Sequence, residues 1–191
     1  MKEIILASSS VARASILQKL DLPFSINAQN IDESSFADES AQELVLRLAC
    51  AKARACLKAN PHSLCIGADT VAVLGGTVFG KPQDAEEARQ MLYALSGQKH
   101  SIFTGLCLVQ EGKIDCALER TDITFRHINS DEIELHISQD DWRGHAAAYA
   151  LQDSEDFIEK IDGSRSNVIG LPLNLLCKML EGFAVYSKYT E

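Results

Sequence analysis

The sequence predicts a mixed α/β fold, and three observations predict it. Helix-period and strand-period segments alternate, glycine and proline punctuate them, and hairpin signals interrupt the βα order that an all-parallel sheet would keep. The 191 residues suit one domain, 1–191, or one divided into two lobes, with enough chain for a sizeable core. At 46% hydrophobic and 24% charged, the balance is that of a globular chain rather than a disordered one.

Taken in order, residues 3–7 form a short strand that runs into Ser8-Ser9-Ser10 and a helix over 11–20, ended by Pro23. A polar stretch covers 27–38. Ser40 with Glu43 makes a capping box. The helix that follows carries Leu44, Leu48, Ala51 and Ala55 on one face, and Lys52 leans toward that apolar side. Residues 64–68 read as a buried strand, followed by 70–74 and a Gly75-Gly76 hairpin turn. Asp84 with Glu87 caps a helix with Ala88, Met91, Leu92 and Leu95 inward, stopping at Ser96-Gly97. Two long strands, 101–109 and 114–126, flank a turn at Glu111-Gly112. Ser130 caps a helix through 138, a small-residue segment covers 145–150, and a strand lies near 157–161. The last helix starts after Pro172 and ends at Gly182.

With 18 basic and 27 acidic residues the net charge is −9, so the molecule as a whole repels polyanions. General nucleic-acid or anionic-membrane binding is disfavoured, whereas a small, highly charged anion can be held by a locally built cationic site. No run of eighteen apolar residues and no long greasy leader occur, which predicts a cytoplasmic protein. The six cysteines include no C-x-x-C pair and most have apolar neighbours. They read as reduced, buried thiols, and no Cys/His cluster has the spacing of a zinc site.

Several residues stand out chemically. Ser8, Ser9 and Ser10, at a strand-to-helix junction, offer hydroxyls and backbone N–H groups to an anion, with Arg13 one turn on; the plainer reading is a serine helix cap. Asp69, set among apolar strand residues, needs a cation, a metal or a cleft, unless it is a turn aspartate between two strands. Lys81, in Gly80-Lys81-Pro82, and Glu33, in Asp32-Glu33-Ser34, read as solvated loop charges or as phosphate- and metal-binding groups. Ser164 and Asn167 lie in a second loop-to-helix junction that binds an anion or a base edge, or only turns the chain. His100 is a further candidate, and Asp153-Ser154-Glu155-Asp156 reads as a solvated acidic turn.

Together these segments resemble the Maf family of nucleoside triphosphate pyrophosphatases over almost the whole chain. The matching pieces begin with Leu6-Ala7-Ser8-x-Ser10-x-x-Arg13, Asp32-Glu33, Glu39-Ser40, Ala51-Lys52-Ala53 and Gly67-Ala68-Asp69-Thr70-Val71. They continue with Gly80-Lys81-Pro82, Ser96-Gly97-x-x-His100, Thr104-Gly105, Ala148-Tyr149-x-x-Gln152, Ile161-x-Gly163-Ser164 and Asn167-Val168-x-Gly170-Leu171-Pro172.

The resemblance implies an elongated mixed sheet with two lobes flanking a nucleotide cleft, similar to inosine triphosphate pyrophosphatase. It implies hydrolysis of the α–β phosphoanhydride bond of a nucleoside triphosphate with a divalent cation, Mg2+, Mn2+ or Co2+, and a possible homodimer. Asp69 becomes the general base, Glu33 and Asp69 the metal ligands, and Ser8, Ser10, Arg13, Lys52 and Lys81 the phosphate cage. Ala12, Thr70 and Gln152 occupy the base-selectivity positions. The pyrimidine branch, acting on dTTP and UTP, has arginine, threonine and glutamine there, so two of three match; the branch resembling 7-methyl-GTP pyrophosphatases matches at none. Val11 and Ala12 replace the family's proline and first arginine, and Ala147, Ala150 and the acidic run from Asp153 replace favoured glycines. These changes point to a uridine-, thymidine- or modified-pyrimidine substrate with loose selectivity. The rival expectation is a weakly catalytic, nucleotide-binding regulator of cell division, a septum-formation inhibitor.

Overall fold

Three long strands set the frame. β3 (Leu64–Leu74), β5 (Lys99–Gln110) and β6 (Lys113–Phe125) pair antiparallel, placing Asp69 opposite Gly105 and Cys107 opposite Cys116. β1 (Ile4–Leu6) and β2 (Phe24–Ile26) add in parallel at one edge, and β7 (Ile158–Asp162) joins antiparallel at the other. The order is β2-β1-β3-β5-β6-β7, with β4 (Thr77–Phe79) folded back on the end of β3. This computed structural model describes residues 2–152 and 154–184. Gly75 and Gly76 make the β3–β4 turn with φ of 57° and 90°, the left-handed backbone that a two-residue hairpin requires.

Strand alternation assigns the faces. On one, Leu64, Ile66 and Ala68 of β3 meet α1 (Val11–Gln18) and α6 (Leu173–Gly182) through Ile16, Leu17, Leu176 and Leu180. Farther along the same face, Ala72, Ile102 and Ile123 meet α3 (Ala85–Leu95) and α4 (Ser130–Ser138). Thr70 stands between these two apolar clusters. The opposite face takes α2 (Ala41–Ala59), whose Val45, Leu48, Ala49 and Ala53 cover Cys65, Val71, Phe103 and Cys107. Among the described residues no helix is long and apolar enough to cross a membrane.

The structure revises several expectations. Residues 64–74 form one unbroken strand, so Asp69 sits in mid-strand rather than at a turn. Leu44 and Leu48 of α2 are buried as expected, but the buried line continues through Val45, Ala49, Ala53 and Cys56, while Ala51 and Ala55 are half-buried. Glycines under the helix cause that rotation: a Cβ on Gly67 would lie 2.2 Å from the Ala49 carbonyl oxygen, and one on Gly105 would lie 2.2 Å from that of Val45. Asn129, not Ser130, caps α4, in a capping box with Glu132. β2, and α5 (Arg165–Ile169), add to the predicted elements. Cys107 and Cys116 are joined in a disulfide, because the β5–β6 register sets them face to face with Cα atoms 4.1 Å apart; the other four cysteines are free thiols. Asp153 lies outside the described residues, and Ser154, expected in a solvated turn, is buried.

His100 illustrates what enclosing a titratable ring does. Its Nε2 lies 2.8 Å from the Tyr149 hydroxyl and its ring is edge-on to Phe125. Burial pushes its pKa down from 6.5 to about 4. Between those values the unfolded chain takes up a proton that the folded chain does not. Stability therefore falls as pH drops through that window, by on the order of 3 kcal/mol in total. Urea midpoints measured from neutral pH down to about 4 should decline accordingly, and His100→Gln should flatten that part of the slope.

Candidate active site

The functional residues gather where the edge of β3 has no strand beside it. β1 accompanies β3 only to Ile66, where the Ala7 N–H donates to the Ile66 carbonyl, and β4 joins only at Ala72. On the side away from β5, the stretch 67–71 is open, and loops from both sheet faces converge on it.

Asp69 lies in that stretch, on the face covered by α2, and is buried. Lys52 Nζ donates to Asp69 Oδ1 at 2.6 Å and lies 2.8 Å from Glu33 Oε1. One ammonium thus bridges two carboxylates, which answers the cost of placing Asp69 away from water. The Asp69 and Lys52 side chains are each only 12% exposed, whereas Glu33 is 53% exposed and opens to solvent. Partial burial alone would raise the Glu33 pKa. The hydrogen bond and charge of Lys52 outweigh it, with Lys81 and Arg13 beyond, and hold the carboxyl below its usual value. Glu33 is consequently ionised at neutral pH.

Arg47, five residues before Lys52 on α2, fixes the loop that carries Glu33. Its guanidinium donates to both oxygens of Glu39 at 2.6 and 2.8 Å and to the Ser34 carbonyl at 2.9 Å, and it stacks 4.0 Å over the Phe36 ring. Helix and loop therefore deliver Lys52 and Glu33 to Asp69 as a unit.

Arg13 reaches the same opening from the α1 face. It donates through Nε to the Gly170 carbonyl at 2.9 Å, through Nη1 to Ser8 Oγ at 3.2 Å and through Nη2 to Thr70 Oγ1 at 3.2 Å. Burial lowers its pKa while Asp69 and Glu33 pull it back up, and the group stays charged. Ser10 caps α1 by accepting from the Arg13 N–H, and the Ser10 N–H donates to Ser8 Oγ. Arg13 is thus a keystone between α1, β3 and the end of α5 as well as a cation at the cleft. Arg13→Lys cannot hold three acceptors in one rigid fork. It is expected to lower stability by about 2 kcal/mol, measured as a shift in the urea midpoint.

A cavity of about 810 Å³ opens over these groups. Ser8, Ser10, Arg13, Glu33, Lys52 and Lys81 line it, with Ala12, Thr70 and Gln152 also on its wall. Asp69 lies immediately behind Lys52. Ser164 and Asn167 do not line the cavity. Ser164 caps α5, and the fully buried Asn167 donates to the Ile102 carbonyl and Thr121 Oγ1, so both pin the loop that presents Gly170 to Arg13. The Thr70 hydroxyl is engaged by Arg13 and lies 3.0 Å from that of Thr104. Lys19, Gln29, Asn30 and His145 also line it, and no spacing in the sequence singled them out.

The loop closing the far side is conformationally demanding. Ala147 and Ala148 both take positive φ, 58° and 64°, in a buried setting. Their backbone is held by the Ala147 N–H on the Gly80 carbonyl and by His136 Nε2 at 2.9 Å from the Ala148 carbonyl. Through Gly80 this loop is tied to the residue before Lys81. Of the two alanines expected in place of glycines, Ala147 takes the left-handed backbone, which strains a residue with a Cβ, and Ala150 does not.

A hard divalent cation takes oxygen donors, and Asp69 and Glu33 supply two. Among the described residues no third acidic or histidine side chain joins them at ligand spacing. That donor set fits a hard divalent cation that keeps water in its remaining positions.

In the solved structures, the Ham1 protein of Staphylococcus aureus superposes with a TM-score of 0.57 at 14% identity, over 95% of this chain and all of that one. The Ham1 protein of Coxiella burnetii gives 0.53 at 17%, with the same coverage. These likenesses establish the fold. Among curated sequences, proteins named dTTP/UTP pyrophosphatase are similar over nearly the whole chain. That of Pyrococcus furiosus is 38% identical, over 95% of each chain. That of Pelotomaculum thermopropionicum is 40% identical, over 96% of this chain and 97% of its own. The family model described as Maf-like protein matches residues 3–183, and the chain belongs to that family.

Proposed function

We propose that this protein is a nucleoside triphosphate pyrophosphatase that cleaves the α–β phosphoanhydride bond of a pyrimidine nucleotide of the UTP or dTTP type, releasing monophosphate and diphosphate. The observation that carries this reading is the buried Asp69, held by Lys52 behind a nucleotide-sized cavity whose wall carries Lys52, Glu33, Arg13 and Lys81. An acidic chain that gathers Arg13, Lys19, Lys52 and Lys81 around one cavity is suited to a small polyanion. The relatives' names point the same way.

Each residue then has a task. Lys81 and Arg13 neutralise phosphate oxygens, and the serines of the α1 junction add hydroxyl and N–H donors. Lys52 orients the Asp69 carboxylate by holding Oδ1, and Asp69 takes the proton of the attacking water. Glu33 and Asp69 would hold a divalent cation, which when bound would supply charge neutralisation and a more acidic water. Gln152, exposed on the cavity wall, can pair its amide with the N3–H and O4 edge of uracil or thymine. Ala12 offers no such contact, which widens the range of bases admitted. The assembled base, cations and metal donors favour turnover over a role limited to binding.

The test is diphosphate release from a panel of UTP, dTTP, CTP, ATP, GTP, 5-methyl-UTP and pseudo-UTP with magnesium, manganese or cobalt. UTP, dTTP and their modified forms are expected to lead. Turnover confined to purine nucleotides would reject the base assignment, and no turnover of any nucleotide would reject the reaction.

A further inference from the structure

Under α2, where the helix is seated on β5 and β6, lies a cluster of sulfur that the reaction does not use. The Sγ atoms of Cys50, Cys107 and Cys116 all lie within 4.8 Å of one another. Cys107 and Cys116 are bridged, while Cys50 on α2 is a free thiol. Their surroundings differ: Cys107 is buried, Cys50 half-buried and Cys116 exposed. A thiol within 4.8 Å of both sulfurs of a disulfide is close enough for exchange after a small approach, and access decides which sulfur is attacked and which leaves.

We propose that Cys50, Cys107 and Cys116 form a thiol–disulfide exchange site, with Cys50 as nucleophile and Cys107 as the sulfur it attacks. Cys50 loses its proton to water, and its thiolate forms a bond to Cys107 Sγ. The Cys107–Cys116 bond breaks, and Cys116 leaves with the electron pair and is protonated from water. One disulfide and one thiol stand on each side of the step, so no oxidant or reductant is consumed.

The direction follows from solvation. Cys116 departs as a thiolate into water, whereas attack at Cys116 would expel Cys107 as an anion among Ile5, Ala53 and Val109. The product replaces a link within one hairpin by a link between β5 and α2. It fastens the helix two residues before Lys52, on a helix already seated against the sheet at Gly67 and Gly105.

Tryptic mapping tests this directly, because cleavage after Arg47, Lys52, Lys99, Lys113 and Arg120 places the three cysteines on separate peptides. The full chain is oxidised with glutathione disulfide at mildly alkaline pH, quenched in acid, blocked with N-ethylmaleimide while unfolded, and digested. The expected map contains peptide 48–52 joined to 100–113, alongside 100–113 joined to 114–120. In Cys116→Ser, a change at an exposed strand position that leaves the core intact, the 48–52 to 100–113 link becomes the main disulfide. Cys50 recovered fully blocked by maleimide in both proteins would overturn the proposal.

Discussion

Asp69→Asn is expected to lower kcat by roughly a thousandfold while leaving a folded protein, the size of effect that removing a general base produces. The amide retains an oxygen to accept from Lys52, and Lys52 keeps Glu33 as its second partner at 2.8 Å, so the ion cluster survives without the proton acceptor. Glu33→Gln makes the contrast. Its side chain is 53% exposed and lies on the outer side of Lys52, so its loss should act mainly through metal and substrate affinity. Steady-state kinetics on UTP with a magnesium titration separate the two, since Asp69→Asn should not be rescued by added metal. Circular dichroism and a urea midpoint within about 1 kcal/mol of the parent would show that the Asp69 effect is chemical and not a loss of fold.

The second large effect is structural. Gly105→Ala would place a Cβ 2.2 Å from the carbonyl oxygen of Val45, 2.4 Å from its carbon and 2.7 Å from the Leu46 nitrogen. All three are backbone atoms of α2, so no rotamer change relieves the clash and the whole helix must lift off the sheet. A shift of that kind is expected to cost upwards of about 4 kcal/mol. At this chain length that corresponds to a melting temperature lower by roughly 10 °C, if the variant folds at all. Activity should fall with it, because the same helix carries Lys52 to Asp69 and Arg47 to the Glu33 loop. An equal substitution at Gly80, where a Cβ meets nothing within 4 Å, should leave the melting temperature near that of the parent.

Much of this site could be read from the sequence. An aspartate amid apolar strand residues must find a cation, and it finds Lys52, which leaned toward the apolar face of its helix for that purpose. Element order and most boundaries followed from periodicity, caps and glycine turns. What the sequence hid was register. Nothing local in residues 64–74 shows that Asp69 faces Gly105, or that β1 stops at Ile66 and leaves the edge open beside it. The Cys107–Cys116 pairing was hidden for the same reason, since their nine-residue separation means nothing until the hairpin fixes who faces whom. Gly67 and Gly105 could be seen as motif residues, but the helix backbone pressed against them could not. Arg13 was read as a phosphate clamp. Its three protein acceptors, drawn from residues 8, 70 and 170, are contacts only the folded chain assembles.

The central claim concerns which bond this ring of charges around Asp69 breaks, and phosphorus NMR of a single reaction decides it most directly. UTP or dTTP incubated with the protein and magnesium should give equimolar monophosphate and diphosphate from the first turnover, with neither signal growing in the Asp69→Asn variant. Orthophosphate appearing together with a nucleoside diphosphate would mean that the chain cuts at the γ phosphate, and would contradict the proposed cleavage of the α–β bond.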